Sequence, residues 1–369
     1  MRILHLLSYV DRDSSYGGPL SVAAAQCENL SQRGHDVTLL AGWDGAAQLH
    51  IPGVRIKLRR AFRNRRLGFG TVTSPSLIWA ANRWARNYDV VHVHLGRDFA
   101  VLPAALAASR LAPTILQCHG MVGTSDGPIK RILDKSITSH VFARASRILT
   151  LTATEESDLS TFPGMQDRLQ RLANFSPRAS AQASYRANVR PEVLFLARLH
   201  ERKRPLAFIH MAAELLSRGI EARFTLIGPD EGQRALVETE ILRRGLSSHV
   251  SVHNAIPSGR VQQRLAEAHV YVLPSVREPF PVTVLEALAV GVPSVITNDT
   301  GVSQTLRDAG AAVVVSPEPK AIADGVALLL SSKSEWLDIS SAAKLASTEL
   351  FSSDSVVREL ETIYSRSVK

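Results

Sequence analysis

The sequence predicts an α/β protein built from two doubly wound parallel-sheet domains. Short runs of β-branched and aliphatic residues alternate with amphipathic helical stretches, which is the pattern of βαβ units. The length of 369 residues suits two domains of roughly 100–200 residues each. The stretch 176–190 is rich in Ser, Ala, Gln and Arg and lacks an apolar period. We therefore expect one domain over 1–175, a connection over 176–190 and a second domain over 191–350.

Five strands are predicted in the first half, each a short apolar run bounded by polar or turn residues. They are Arg2–Ser8, Asp36–Leu40, Val90–His94, Thr114–Cys118 and Arg147–Thr152. A helix follows the first of them, because Leu20, Ala23, Cys27 and Leu30 form one apolar stripe that ends before Gly34.

Six further strands are predicted in the second half by the same criterion. They are Val193–Leu196, Arg223–Ile227, Val250–Val252, Val270–Leu273, Ser294–Ile296 and Ala311–Val315. A helical stretch runs from about Leu206 to Ser217, and the chain is predicted to close with a helix within 351–369. Sheets of this kind bind ligands at the carboxyl ends of their strands, so the residues that follow each strand are the candidates for a binding site.

The composition is that of an ordinary globular protein, with 45% hydrophobic and 21% charged residues. Apolar runs stay well below the roughly 18 residues of a membrane span. The apolar start Met1–Val10 leads into charged residues without a signal-peptide cleavage site, so we expect a cytoplasmic protein. Cys27 and Cys118 are too few for a disulfide framework, and His92 and His94 lack partners at metal-ligand spacing. We therefore predict no metal site.

Positive charge is concentrated in the first half, which carries 21 basic against 13 acidic residues in a chain of net charge +9. The excess lies in one basic stretch, made of Arg55, Lys57, Arg59, Arg60, Arg63, Arg65 and Arg66. Such a stretch attracts polyanions, so either a solvated loop or a membrane or lipid-phosphate docking surface fits it. Nucleic acid is not expected as a partner, because only Phe62 and Phe69 offer nearby stacking surfaces.

The segment Tyr16-Gly17-Gly18-Pro19 follows the first strand and opens a helix. Glycine allows a close backbone approach, and the free N–H groups at a helix start favour an anion such as a diphosphate. The segment is not the G-x-G-x-x-G dinucleotide fingerprint, and a glycine-rich turn without a ligand is the alternative.

Two carboxylates bracket the start of a predicted helix in the second half. Glu278 lies in a proline-rich loop, the helix begins near Pro281, and Glu286 falls on its second turn. The helix start can hold phosphate, while the carboxylates can accept hydrogen bonds from sugar hydroxyls. The alternative is that Glu286 is a solvated helix residue and Glu278 only supports the helix start.

Cations and a histidine follow other strands. Arg198 and Lys203 come directly after the strand Val193–Leu196 and could converge on a diphosphate. His119 ends the strand Thr114–Cys118 and could bond a substrate hydroxyl or transfer a proton, although a lone histidine is more often structural.

In this order and spacing, the motifs together resemble the retaining glycosyltransferases of family 4. The resemblance covers nearly the whole chain and includes the E-x7-E signature of Glu278 and Glu286. It implies the GT-B fold, in which two Rossmann-like domains face each other across a cleft. The first domain would be the acceptor side, the second would bind the donor, and the closing helix, 351–369, would pack back on the first domain. Among family members, the glycine-rich start is similar to that of bacterial exopolysaccharide, capsule and lipid-linked glycan enzymes.

The resemblance also implies roles for individual residues. The catalytic set would be His119, Arg198, Lys203 and Glu278. Arg198 and Lys203 would contact the donor diphosphate, Glu278 the hexose hydroxyls, Glu286 the ribose, and His119 the sugar near the reacting centre. The remaining donor-binding positions would be Gly17, Gly18, Ile256, Phe280, Pro281, Val282 and Thr283. The residues expected to dock a membrane or an acceptor are Arg59, Arg60, Arg63, Arg65 and Arg66.

The function that this resemblance implies is transfer of a hexose from UDP- or GDP-hexose, with retention, without a metal and without a further cofactor. The acceptor would be a lipid-linked or polysaccharide intermediate of cell-surface glycan synthesis, and the enzyme would work in the cytoplasm, with peripheral contact to the inner face of the plasma membrane. Two alternatives stay open at this point: a sugar-nucleotide epimerase or phosphorylase of similar shape, or a non-enzymatic protein that binds membrane or nucleic acid. Detecting epimerised donor would favour the former, and failure to bind any nucleotide sugar the latter.

Overall fold

The structure is a computed structural model that describes residues 1–10, 17–64, 69–122, 137–162, 164–187 and 189–368. Tyr16, Arg65 and Arg66, which the sequence analysis singled out, lie outside these residues. The chain divides into two compact units. The first unit is Met1–Asn174 with Ser353–Lys369, and the second unit is Phe175–Ser352.

The first unit contains a parallel sheet of seven strands in the order β3-β2-β1-β4-β5-β6-β7. The strands are β1 (Arg2–Val10), β2 (Asp36–Trp43), β3 (Arg55–Arg60), β4 (Val90–His94), β5 (Thr114–Gln117), β6 (Arg147–Thr150) and β7 (Leu169–Arg171). Helices between them are α1 (Gly17–Gln32), α2 (Pro75–Trp84), α3 (Val101–Ala108), α4 (Ser139–Arg144) and α5 (Ala153–Ser160). The strand order reverses between β1 and β4, and ligands bind at such a switch point in sheets of this type.

The second unit contains a parallel sheet of six strands in the order β10-β9-β8-β11-β12-β13. The strands are β8 (Glu192–Leu196), β9 (Arg223–Ile227), β10 (Val250–His253), β11 (Val270–Leu273), β12 (Ser294–Thr297) and β13 (Val313–Val315). The helices are α6 (Pro205–Ser217), α7 (Arg234–Arg243), α8 (Val261–Ala266), α9 (Val282–Val290), α10 (Ser303–Asp308), α11 (Pro319–Ser331) and α12 (Lys333–Glu349). Its switch point lies between β8 and β11.

Each unit has its own apolar core. In the first, β4 and β5 are buried along their whole length, and α2 and α3 pack on the sheet through small and aliphatic residues. In the second, β8 and β11 are buried along their whole length, and the core also takes residues from α6 and α11. Strands covered on both faces are rich in apolar residues, which is why their sequences predicted them well, although β4 also buries His92 and His94. The predicted class of two parallel-sheet α/β domains is confirmed.

The closing helix, α13 (Ser353–Val368), belongs to the first unit, although its sequence follows the second. It contacts α1 and β4 and buries Leu360, Ile363 and Tyr364 among other residues. Arg33 anchors it through ion pairs to Asp354 and Glu361, at 2.6 and 3.0 Å. The last helix is therefore held by both apolar burial and surface charge.

Two strands were missed by the sequence analysis. The basic stretch, for which a solvated loop was one alternative, begins with edge strand β3, because Ile56 and Leu58 alternate with its basic residues. The short strand β7 forms the other edge of the sheet. Conversely, the strand predicted over Arg147–Thr152 ends at Thr150, because Thr152 caps α5 by accepting a hydrogen bond from the Glu155 N–H. Within the residues that the structure describes, no helix is long and apolar enough to cross a membrane.

Candidate active site

The carboxyl edge of the second sheet collects most of the predicted donor-binding residues. Arg198 and Lys203 follow β8, Ile256 follows β10, and Glu278 follows β11. Because all six strands are parallel, their carboxyl ends lie at one edge of the sheet. The strand order places β8 beside β11 at the switch point, so the two cations and Glu278 are neighbours there.

Lys203 and Glu278 form a buried ion pair. The ammonium donates to Glu278 Oε2 at 2.6 Å, and the two residues are only 8% and 7% exposed. Arg202 Nε lies 3.6 Å from the same oxygen. Burial alone would raise the pKa of Glu278, but Lys203, Arg202 and Arg198 outweigh it and hold that pKa below its ordinary value. Glu278 is therefore ionised at neutral pH.

Arg198 is held by a carboxylate that the sequence analysis did not select. Its Nη1 donates to both oxygens of Glu231, at 3.0 and 2.9 Å. The loops that carry these two residues are in close backbone contact, because a Cβ at Gly228 would stand 1.9 Å from the Ala197 carbonyl oxygen. Glycine is thus required at 228, and the Leu199 N–H donates to the Pro229 carbonyl across the same junction at 2.9 Å.

Helix α9 begins at this edge of the sheet without a side-chain cap. Pro281 is its N-cap residue, and its side chain bonds none of the first N–H groups. Thr283 in the first turn accepts a hydrogen bond from the Tyr271 hydroxyl at 2.8 Å, while Phe280 is buried edge-to-face against Phe351. Uncapped N–H groups at the start of a nine-residue helix favour an anion.

Glu286 lies on the second turn of α9, as the sequence predicted. Among the parts of the chain that the structure describes, it forms no hydrogen bond or ion pair. Burial raises the pKa of this carboxyl from about 4.5 to about 7. A poorly solvated carboxyl without a protein partner is suited to a ligand hydroxyl, and perturbed groups of this kind concentrate at functional sites.

His119 lies in the first unit, in a tight turn after β5. Its backbone is left-handed, with φ of 52°, and Gly120 follows with φ of 67°. Glu155 fixes the turn, because its two carboxylate oxygens accept the N–H groups of Gly120 and Leu151 at 2.6 and 2.7 Å. A non-glycine residue in this conformation is strained, and such strain is typical of functional positions.

The ring of His119 is also fixed. Its Nε2 lies 2.9 Å from His94 Nδ1, and the two rings stack with centroids 5.1 Å apart. Burial lowers the pKa of His119 to about 3, so the imidazole is neutral at physiological pH. Its exposed fraction is intermediate, which leaves part of the residue accessible.

The predicted glycines and arginines of the first unit have distinct surroundings. Gly17 and Gly18 open α1, and a Cβ at Gly18 would meet nothing within 4 Å among the described residues.

Arg59 lies over Trp84, with its guanidinium carbon 4.6 Å from the ring centroid, and the guanidinium carbon of Arg60 lies 6.0 Å from the centroid of Trp43.

Arg63 follows strand β3 and is half-buried. The guanidinium groups of Arg59 and Arg60 each lie over an aromatic ring, which favours a cation–π contact. Across the residues for which positions are described, no group of three or more His, Cys, Asp or Glu side chains could hold a metal ion.

Two family descriptions match the chain, one for each half. Residues 17–174 match "Glycosyl transferase 4-like domain", and residues 179–346 match "Glycosyl transferases group 1". Together they account for most of the sequence.

Individual relatives agree with these matches. The chain is 26% identical to the alpha-D-kanosaminyltransferase of Streptomyces kanamyceticus, over 71% of this chain and 74% of that protein. It is 29% identical to the D-inositol 3-phosphate glycosyltransferase of Acidothermus cellulolyticus, over 66% of this chain and 60% of that protein. Among solved structures, Anabaena HepE in complex with UDP and glucose superposes with a TM-score of 0.76 at 15% identity, covering 99% of each chain. That likeness establishes the common fold.

Proposed function

Because the chain belongs to the group 1, family 4-like glycosyltransferases of GT-B fold, we propose that it transfers a hexose from a nucleoside-diphosphate hexose, with retention of anomeric configuration. The donor is UDP- or GDP-hexose, and the acceptor is a lipid-linked or polysaccharide intermediate. The second unit binds the donor, and the first unit carries the acceptor side. The family membership predicted from the motifs is confirmed, and the donor, acceptor and stereochemistry form the proposal.

One observation carries the proposal: cations, carboxylates and an uncapped helix start meet at the carboxyl edge of the second sheet. Arg198, Lys203 and the N–H groups of α9 suit a diphosphate, which needs two or more donors around its oxygens. Glu286 suits the ribose hydroxyls and Glu278 the hexose hydroxyls. Phe280 to Thr283 would supply backbone contacts, and Ile256, on the loop after β10, would support the base.

The proposed reaction needs no metal. The acceptor hydroxyl attacks the anomeric carbon on the face that the diphosphate leaves, so the new C–O bond forms as the old one breaks. The acceptor proton passes to the leaving phosphate oxygen, and the departing nucleoside diphosphate keeps the bonding electron pair. Arg198 and Lys203 stabilise the charge that develops on it. His119 contacts the sugar near the reacting centre, and Gly17 and Gly18 give a phosphate close access to backbone N–H groups.

We further propose that the basic stretch docks an anionic acceptor or the cytoplasmic membrane surface. Arg59 and Arg60 are oriented by their aromatic neighbours, and Arg63 follows in the same segment. Basic residues near an anionic surface contribute about 1 kcal/mol each at low salt. Replacing Arg59, Arg60 and Arg63 with Gln should reduce sedimentation with phosphatidylserine vesicles at 50 mM salt, and unchanged sedimentation would remove this part of the proposal.

The test of donor binding is a thermal-shift titration with UDP-, GDP- and ADP-hexoses. A donor that binds the native state raises the melting temperature by mass action. We expect a shift with a UDP- or GDP-hexose that is lost in Arg198→Ala. Arg204→Ala is the matched control, because Arg204 lies six residues away and bonds the Pro317 carbonyl instead.

The test of reaction follows with the donor that binds. Incubation with glycan acceptors in the presence of EDTA should give a product whose anomeric configuration, read by NMR, equals that of the donor. An inverted product would overturn retention, and dependence on added metal would overturn metal independence. Absence of a shift with every donor would overturn the donor assignment.

A further inference from the structure

A continuous chain of four imidazoles and one phenol runs through the first unit. His5 lies on β1, His92 and His94 on the neighbouring strand β4, His119 after β5, and Tyr364 on α13. The rings of His5, His92 and His94 are all buried and stacked, with centroids 4.8–5.3 Å apart. None of the proposed catalytic steps uses His5, His92 or Tyr364.

Hydrogen-bond contacts link these rings end to end. His119 Nε2 lies 2.9 Å from His94 Nδ1, and His94 Nε2 lies 3.0 Å from His5 Nδ1. The other nitrogen of His5 lies 3.5 Å from the Tyr364 hydroxyl, which is 2.6 Å from His92 Nδ1. The chain therefore connects a buried phenol on the closing helix to the accessible turn of His119.

Because burial keeps the four imidazoles neutral, the tautomer of each ring depends on the tautomer of its neighbour. Burial lowers the pKa of His5 and His119 to about 3 and the pKa of His92 and His94 well below the ordinary value, so all four rings are neutral. A neutral imidazole carries one N–H and one lone pair. Each nitrogen–nitrogen contact needs one donor and one acceptor, so choosing the tautomer of one ring fixes the others.

The Tyr364 hydroxyl determines the direction in which the hydrogen bonds are donated along this chain. A separation of 2.6 Å suits a donated O–H bond, whereas 3.5 Å is at the limit of a hydrogen bond. The Tyr364 O–H therefore donates to His92, and its lone pair faces His5 Nε2, which then carries the proton. His5 Nδ1 accepts from His94 Nε2, and His94 Nδ1 accepts from His119 Nε2. This order leaves a lone pair on the outer nitrogen of His119, Nδ1.

We propose that Tyr364, His5 and His94 are positioning residues that fix the ring orientation and the tautomer of His119, so that His119 Nδ1 accepts a hydrogen bond from a sugar hydroxyl. The hydrogen bond to a sugar hydroxyl rests on the proposed function, whereas the tautomer of His119 does not. His119 Nδ1 has no hydrogen-bond partner among the residues that the structure describes, which leaves it available. Because Tyr364 is fully buried, the closing helix would act on the site through this hydrogen-bond chain.

Nitrogen-15 NMR of the histidine-labelled full-length protein tests the tautomer directly. We expect His119 to carry its proton on Nε2 and a lone pair on Nδ1. Tyr364→Phe keeps the buried ring but removes the oxygen, so His119 should populate both tautomers. Tyr88→Phe is the control, because the Tyr88 hydroxyl bonds Thr38 in the same unit and lies outside the chain. A proton on Nδ1 in the wild type, or an unaltered tautomer in Tyr364→Phe, would overturn the proposal.

Transfer kinetics test the consequence. His94→Phe retains the stacked ring but loses the nitrogen that accepts from His119, and a misplaced contact group costs about 10- to 100-fold in rate. We expect kcat to fall by about that factor while the melting temperature stays close to that of the wild type. Full kcat in a folded His94→Phe variant would overturn the positioning role. A single His119 tautomer without hexose transfer from any donor would instead overturn the proposed function alone.

Discussion

Replacing one partner of the buried Lys203–Glu278 ion pair should lower the free energy of unfolding more than replacing both partners. Removing one partner of a buried ion pair leaves an uncompensated charge and typically costs about 3–5 kcal/mol, whereas an apolar or neutral replacement of both is often nearly neutral. We expect Glu278→Gln to cost about 3 kcal/mol, because Lys203 is then buried beside Arg198 and Arg202 without a carboxylate. Lys203→Met should cost less, since Arg202 Nε remains 3.6 Å from Glu278.

A double-mutant cycle at pH 7 measures this difference. At about 2–4 °C per kcal/mol, Glu278→Gln should lower the melting temperature by about 6–12 °C. The combined Lys203→Met/Glu278→Gln protein should return to within about 1 kcal/mol of the wild type. The control cycle uses the helix-surface pair of Arg234 and Glu238, 3.3 Å apart with side chains 24% and 52% exposed, which should couple by less than about 0.5 kcal/mol. If the two cycles gave equal coupling, the Lys203–Glu278 pair would have to be solvated and the reasoning from burial would fail.

Two further predictions concern the same edge of the sheet. Burial raises the pKa of Glu286 to about 7, so between about pH 4.5 and 7 the folded state keeps a proton that the unfolded state loses, and stability falls as pH rises through this window. Glu286→Gln should therefore raise the melting temperature at pH 8 and leave it nearly unchanged at pH 4. The same variant should weaken donor binding in a thermal-shift titration. Equal melting temperatures of the wild type and the variant at pH 8 would contradict the raised pKa. Gly228→Ala should destabilise the protein by about 1–3 kcal/mol in urea unfolding and weaken UDP affinity, because the new Cβ collides with the Ala197 carbonyl. Gly259→Ala, where a Cβ meets nothing within 4 Å, should leave both unchanged, and equal effects of the two substitutions would refute the contact argument.

Buried parallel strands were predictable because their sequences carry a strong signal. The predicted bounds of Val90–His94, Arg223–Ile227 and Val270–Leu273 agree with β4, β9 and β11 residue for residue. Edge strands carry a weaker signal, since one side has no neighbour and only alternate residues are covered. In β3 the basic residues dominated the composition and hid the alternation of Ile56 and Leu58.

The candidate site was predictable where its residues follow strands in recognisable motifs. Arg198, Lys203, Glu278 and Glu286 each stand a few residues from a strand or helix end, so their spacing, together with the family resemblance, selected them. Partners brought together by tertiary packing left no such signal.

Glu231 is one such missed partner, because it meets Arg198 only through the close contact of two loops. The chain from Tyr364 to His5 is another, since it joins residues at opposite ends of the sequence. In the sequence, His92 and His94 showed only that they lack partners at metal-ligand spacing, and the structure buries both and links them by hydrogen bonds to other groups.

The ion pairs at the second sheet determine how this site can hold a diphosphate. Arg198 is paired with Glu231 and Lys203 with Glu278, so each of the two proposed phosphate-binding cations has a carboxylate partner within the protein. The pairing of Arg198 uses Nη1 alone, which leaves its other guanidinium nitrogens available to a phosphate while Glu231 keeps the side chain in place. Lys203 is a point charge with three donors, so it can bond a phosphate without leaving Glu278. The carboxylates therefore orient the cations and also offset part of their charge, which would limit the attraction for the nucleoside diphosphate that leaves in the proposed reaction.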